Sequence, residues 1–297
     1  MARIQAWIKA ARPRTLPLAT TCVLIGGAVG FQANPEASWL VLGLAFFVVV
    51  KLQTLANFAN DYGDFMKGTD GDNRPDRALA SGEITPAEMR AKLIFNSVVI
   101  FVAGCATVFV SFREVGVDLS SVGLVILGVA AIAAAFKYTM GKSAYGYRGL
   151  GDLFVLLFFG YVGVLGVAFL LSHEVQTSWL LPATFSGLMA VAVLNLNNMR
   201  DHDGDKAAGK NTLVVKMGPD NAKKYHATVL VIAWGCMLWF LQDWKGLMWY
   251  ALIALVCMKN LVFVWNNKEA KNLDPELKKV ALFAFVTGMF MLMTATL

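Results

Sequence analysis

Histidine and cysteine are nearly absent from this chain, with three of one and four of the other in 297 residues. Each cysteine (Cys22, Cys105, Cys236, Cys257) stands alone inside an apolar run, which excludes a disulfide framework and a thiolate zinc site. Charge is scarce too. Asp, Glu, Lys and Arg make up 15% of the chain against 57% hydrophobic residues, and the mean hydropathy is +0.58. So little charge cannot cover a water-soluble surface, and the chain reads as a polytopic membrane protein. A small-residue cleavage site is also missing after the first apolar run, so that run is expected to stay as a helix.

What is present starts with apolar stretches long enough to cross a bilayer. They lie near 16–32, 39–57, 93–112, 121–138, 152–171, 179–198, 227–242, 247–265 and 280–297. The expectation is an all-α, polytopic bundle of about nine transmembrane helices, forming one membrane-embedded domain over 1–297. The net charge of +6 does not mark a nucleic-acid binder, because its distribution follows the membrane. With the N-terminus placed in the cytoplasm, 22 of the 26 Lys and Arg fall on inner segments, and only Arg113 and Lys245 on outer ones. That asymmetry is the positive-inside pattern. It puts the two long inner loops, near 58–92 and 199–226, at the cytoplasmic face of a plasma membrane.

Those loops hold more than half of the acid. The first carries Asn57, Asn60, Asp61, Asp64 and Asp70 in NFANDYGDFMKGTD; the second carries Asn197, Asn198, Arg200, Asp201 and Asp205 in NLNNMRDHDGD. Asn57-x3-Asp61 is echoed by Asn197-x3-Asp201, 140 positions on, which suggests two related halves with the site where they meet. If the second span continues helically, Gln53, Asn57, Asn60, Asp61 and Asp64 share one face, and Asn198, Asp201 and Asp205 do the same on the sixth. Two carboxylates about 4 Å apart repel by roughly 4 kcal/mol at an effective dielectric near 20, so such clusters need positive charge between them. An all-oxygen donor set without Cys or His favours Mg²⁺, which binds through a few carboxylates plus substrate phosphate oxygens. The expected substrate is therefore a membrane-dissolved diphosphate.

Arg74, Arg77, Arg200 and Lys210 flank the clusters, and Lys142 and Arg148 follow the fourth span in YTMGKSAYGYRGLGD. They are candidates for neutralising a departing diphosphate. Tyr138, Tyr145 and Tyr147 are candidates for cation–π stabilisation of a carbocation. Plainer readings stand beside these. The Asp70–Asp76 stretch also fits a solvated turn, Asn57 and Asn197 fit interhelical bonding, Tyr145 and Tyr147 fit interface anchors, and Lys142 and Arg148 fit topology signals. His202 is not expected to act as a base.

At these motifs the chain resembles the UbiA superfamily of intramembrane aromatic prenyltransferases. The matching stretches are ARPRTLPLA, NFANDYGDFMKGTD, YGYRGLGDLFVLLFFG and NNMRDHDGDKAAGKNTLVVKMG. YGYRGLGD and GKNTLVVKMG point to the branch that prenylates 1,4-dihydroxy-2-naphthoate in menaquinone synthesis. The resemblance implies Mg²⁺ held by Asp61, Asp64, Asp201 and Asp205, with Asn57 and Asn60 supporting the first cluster and Asn198 and Arg200 the second. Tyr138 and Lys142 match a Tyr-x3-Lys element near the diphosphate. One departure is Gly68, where the superfamily has its third Asp; Asp70 takes that role from a shifted position. The implied reaction joins a polyprenyl diphosphate to dihydroxynaphthoate with loss of CO₂ and pyrophosphate.

Rival acceptors on the same metal site are 4-hydroxybenzoate, homogentisate, a chlorophyllide or haem. CDP-alcohol phosphotransferases also use intramembrane Asp clusters, but in one short segment. A cation-coupled transporter would carry its polar groups near midspan, whereas here they gather at helix ends.

Overall fold

The computed structural model describes residues 2–69, 77–241 and 244–297. All regular structure among them is helical. We number the helices α1 (Ala2–Ala11), α2 (Leu16–Ala33), α3 (Trp39–Met66), α4 (Pro86–Ser111), α5 (Leu119–Lys137), α6 (Gly151–Ser172), α7 (Leu180–Arg200), α8 (His202–Ala207), α9 (Leu213–Met217), α10 (Pro219–Phe240), α11 (Trp244–Asn266) and α12 (Asp274–Thr296).

Eight described helices are long and apolar enough to cross a membrane. The remaining expected span, 227–242, is the apolar end of α10, whose first turns carry Asp220, Lys223, Lys224 and His226. Helix starts follow local chemistry. Thr85 and Glu88 exchange side-chain and backbone bonds ahead of α4, and Asp118 and Ser121 do so ahead of α5, each box being worth about 1 kcal/mol. The box and Pro86 explain why α4 begins earlier than its apolar run.

Small residues set the closest crossings. A Cβ on Gly160 of α6 would stand 2.7 Å from the Ala183 carbonyl and 3.2 Å from the Gly187 Cα on α7, so only glycine lets these backbones meet. Around it, α6 opens into wide π turns over Leu156–Leu165. Ser186 of α7 donates to the Phe159 carbonyl at 2.7 Å, supplying a bond to a carbonyl that regular turns would otherwise satisfy.

Two packing units result. α1 and α3–α5 share one buried cluster around Leu55, Phe58, Ile84 and Met89. α2, α6, α7 and α10–α12 share the other, around Ile25, Phe185, Met189 and Tyr250. Between them runs a cavity of about 410 Å³, lined by apolar faces of α2–α7 and α12. Large apolar side chains such as Phe101, Phe109, Ile126 and Val262 point outward from the bundle, as a lipid-facing surface requires.

Candidate functional site

The α3 helix runs past its apolar stretch to Met66, so Asn57, Asp61 and Asp64 are helical, share a face and are buried. Gly63 lies between the two carboxylates, where a Cβ would come within 2.4 Å of the Thr139 hydroxyl oxygen. Thr139 donates to the Ala59 carbonyl at 3.0 Å. That close approach brings Tyr138 and the single 3₁₀ turn Tyr145–Arg148 against the acidic end of α3.

Asp61 receives guanidinium groups from both Arg12 and Arg77. Asp64 accepts from the Tyr147 hydroxyl at 2.8 Å. The Asn60 amide, oriented to satisfy both its ends, donates to Asp64 at 3.1 Å and accepts from Arg12 Nη1 at 3.2 Å. The Tyr147 hydroxyl also meets the Thr69 hydroxyl at 2.6 Å. Its ring lies under two ammonium groups, Lys67 at 3.8 Å and Lys210 at 5.5 Å. Burial, opposed by Asp64 and reinforced by Lys210, lowers the Lys67 pKa.

The second cluster differs from the expected single stripe. Helix α7 ends at Arg200, and Asp201 caps it before the short α8 begins. The break separates the two aspartates. Asp201 takes a two-pronged bond from Arg200, with both contacts at 2.9 Å. Asp205 turns inward and is 4% exposed. Lys210 Nζ then stands 3.6 Å from Asp205 Oδ1 and 3.8 Å from Asp64 Oδ2, so carboxylates from the two motifs converge on one cation.

Among the described residues no three Asp, Glu, His or Cys side chains are grouped closely enough to hold a metal alone. Basic side chains stand between the carboxylates instead, as their mutual repulsion demands. The fit to Mg²⁺ survives, because that ion binds through one or two carboxylates plus substrate phosphates. Asp64 and Asp205, two buried carboxylates sharing an ammonium, offer that arrangement.

Other expected residues fall in different places. Asn198 is buried. Lys142 and Arg148 are exposed; the Arg148 carbonyl accepts from Lys216 at 2.5 Å. The Tyr145 hydroxyl donates to the Ala134 carbonyl at 3.0 Å, its pKa raised by burial. Its ring meets Tyr138 edge-on at 5.4 Å and stacks on Phe154 at 4.0 Å, forming an aromatic wall of the cavity. His202 pairs with exposed Asp203 at 2.8 Å. Asp70 and Arg74 lie outside the described residues.

The sequence assigns no role to two site residues. Arg12 lies in the ARPRTLPLA stretch that resembles the superfamily, without a stated function there, and it reaches Asp61 from a left-handed backbone (φ 50°), a conformation that side-chain-bearing residues adopt at some cost. Asp274 lies far beyond both motifs. It accepts from Arg200 Nη1 at 2.5 Å and from Arg14 Nη1 at 3.1 Å.

The model of the UbiA prenyltransferase family matches residues 19–293. A 1,4-dihydroxy-2-naphthoate octaprenyltransferase from Escherichia coli K12 is 39% identical over 294 residues, covering 97% of this chain and 94% of its own. The protein of the same name from Haemophilus influenzae is 37% identical over 291 residues, covering 96% and 93%. Among solved structures, a UbiA homolog from Archaeoglobus fulgidus bound to DMAPP and Mg²⁺ has a TM-score of 0.63 at 16% identity, over 97% of this chain and 99% of that one. The apo UbiA homolog from Aeropyrum pernix K1 reaches 0.68 at 15% identity, over 94% and 98%. At those identities the likeness is one of fold.

Proposed function

The chain belongs to the UbiA prenyltransferase family, and from that premise we propose that it transfers a polyprenyl group from polyprenyl diphosphate to 1,4-dihydroxy-2-naphthoate. The observation that carries the geometry is Lys210, its ammonium 3.8 Å from Asp64 and 3.6 Å from Asp205, beside the polar lining of the apolar cavity, which Asn60 joins and from which its amide donates to Asp64. An amphipathic diphosphate fits that gradient, with its headgroup at the charged end and its tail between helices toward lipid.

Asp64 and Asp205 would hold a Mg²⁺–diphosphate unit. The ion's chemistry there is to offset charge on the leaving pyrophosphate. Asp61 and Asp201 complete the acidic set, held by Arg12 and Arg77 and by Arg200. Lys67 and Lys210 add positive charge, and Tyr147 holds the Asp64 carboxylate in place.

Breaking the allylic C–O bond leaves a carbocation beside Tyr138, Tyr145 and Phe154, whose ring faces stabilise it. The electron-rich ring attacks at its carboxylate-bearing carbon. Loss of CO₂ returns that bond's electron pair to the ring, so the substitution balances without an added base. The product is the quinol form of a demethylmenaquinone. The charge asymmetry of the loops supports placing this site at the cytoplasmic face of the plasma membrane.

The test uses purified chain, farnesyl diphosphate and a mixed pool of aromatic acceptors, with mass spectrometry of the products. The reading expects prenylated naphthoquinol that is lost in EDTA and restored by Mg²⁺. Products from another acceptor alone, or turnover indifferent to EDTA, overturn it.

A further inference from the structure

A naphthoate anion entering an apolar cavity needs positive charge where its carboxylate comes to rest. Three basic side chains line this cavity among the described residues: Arg12, Arg14 and Lys278. Arg12 is engaged by Asp61 and Asn60. Arg14 and Lys278 belong to neither acidic motif. They come from opposite ends of the chain, Arg14 from the turn before α2 and Lys278 from the first turns of α12.

The mouth already displays a held carboxylate. Asp274 accepts from Arg14 Nη1 through both oxygens, at 3.1 and 3.2 Å, and from Arg200 Nη1 at 2.5 Å. Arg200 is fixed in turn by Asp201 and by the Asn197 amide oxygen at 2.8 Å. Lys278 lies four residues after Asp274, on the same helix face, and has no ion-pair partner among the described residues. The Arg14 and Asp274 side chains are 50% and 46% exposed. A pair so exposed is weak and exchangeable, and a second carboxylate can take Asp274's place on Arg14. The aromatic wall of Tyr138, Tyr145 and Phe154 lines the same cavity.

We infer that Arg14 and Lys278 bind the carboxylate of the aromatic acceptor at the cavity mouth, apart from the cations that serve the diphosphate. This rests on the naphthoate reading above. The site's positive charge is thereby divided between two substrates. Arg12, Arg77, Lys67 and Lys210 face the phosphates, while Arg14 and Lys278 face the ring acid.

The experiment measures KM for dihydroxynaphthoate and for farnesyl diphosphate in the wild-type chain and in Arg14→Ala, Lys278→Ala and Arg14→Lys. Loss of either charge raises the naphthoate KM up to about fivefold, while the farnesyl diphosphate KM stays at the wild-type value. Arg14→Lys recovers part of the loss. The wild-type naphthoate KM also climbs with ionic strength, and this slope flattens in both alanine variants. Damage to packing alone would leave the salt slope intact. If the wild-type chain does not prenylate naphthoate, the functional reading falls and this inference with it. If it does, and the two KM values move together or neither moves, this inference alone is overturned.

Discussion

The side-chain amide of Asn57 donates to the backbone carbonyl of Ala11 at 2.8 Å. Its second proton goes to the Thr15 hydroxyl at 3.1 Å, and its oxygen accepts from Gln53 at 3.3 Å. Asn57 is therefore occupied in closing the turn after α1, and that turn aims Arg12 at Asp61. Asn57→Ala removes three bonds, each worth about 1 kcal/mol, and lets Arg12 leave its left-handed backbone. Hydrogen exchange across residues 11–16 should quicken, and the prenyl diphosphate KM should rise several-fold. An unchanged exchange pattern with lost activity would place Asn57 on the substrate instead.

Lys210 separates Asp64 from Asp205, so Lys210→Ala brings two buried carboxylates together without their cation. Removing one partner of such a buried arrangement destabilises by about 3 kcal/mol. A divalent ion then supplies the missing charge. Mg²⁺ should raise the melting temperature of Lys210→Ala more than that of the wild-type chain, as thermal unfolding in detergent reads directly. Equal shifts in both proteins would show that the metal does not meet these carboxylates.

Tyr147 joins Asp64 to Thr69 through one hydroxyl while its ring lies under Lys67 and Lys210. Tyr147→Phe keeps the ring and deletes the bond to a carboxylate, worth about 2 kcal/mol. We expect kcat/KM to drop about tenfold or more, with a fall of a few degrees in melting temperature. Tyr147→Ala, which also removes the cation–π contacts, should lower both.

Glu276, on the α12 helix that also carries Asp274, is 2% exposed and accepts from the Asn260 amide at 2.7 Å. Asn260 in turn meets His226 Nε2 at 3.1 Å. This polar line ties α10, α11 and α12 together, two residues after Asp274. Glu276→Ala leaves Asn260 and His226 buried without their anchor and should lower stability by about 3 kcal/mol, seen as reduced folded yield and melting temperature. Glu276→Gln, which retains an acceptor, should recover most of it.

Much of this protein was legible in its residues. Apolar runs located the helices because lipid imposes a length on them, and the boundaries failed only where capping chemistry or a charged face extended a helix beyond its apolar part, as at Pro86, Met66 and Pro219. Helical spacing led to the expectation that Asn57, Asp61 and Asp64 share one face, and α3 keeps that spacing; that Asp64 and Asp205, rather than all four aspartates, meet at Lys210 was not expected. On the second motif the expectation of one face failed, because the helix breaks at Asp201 and turns that carboxylate toward Arg200. The roles of Arg12 and Asp274 were not legible for a different reason. Their partners are set by how α1 and α12 pack against α3 and α7, and neither residue stands within a periodic pattern that shows it.

The most direct test of the account is metal binding itself. Mn²⁺, a spectroscopic substitute for Mg²⁺, is titrated into the full chain with farnesyl thiodiphosphate, an analogue slow to ionise, and followed by electron paramagnetic resonance. The wild-type chain should bind Mn²⁺ only together with the analogue, and Asp64→Asn and Asp205→Asn should each weaken that binding at least about tenfold. Wild-type affinity in either variant would contradict the claim that one carboxylate from each acidic motif holds the metal–diphosphate unit.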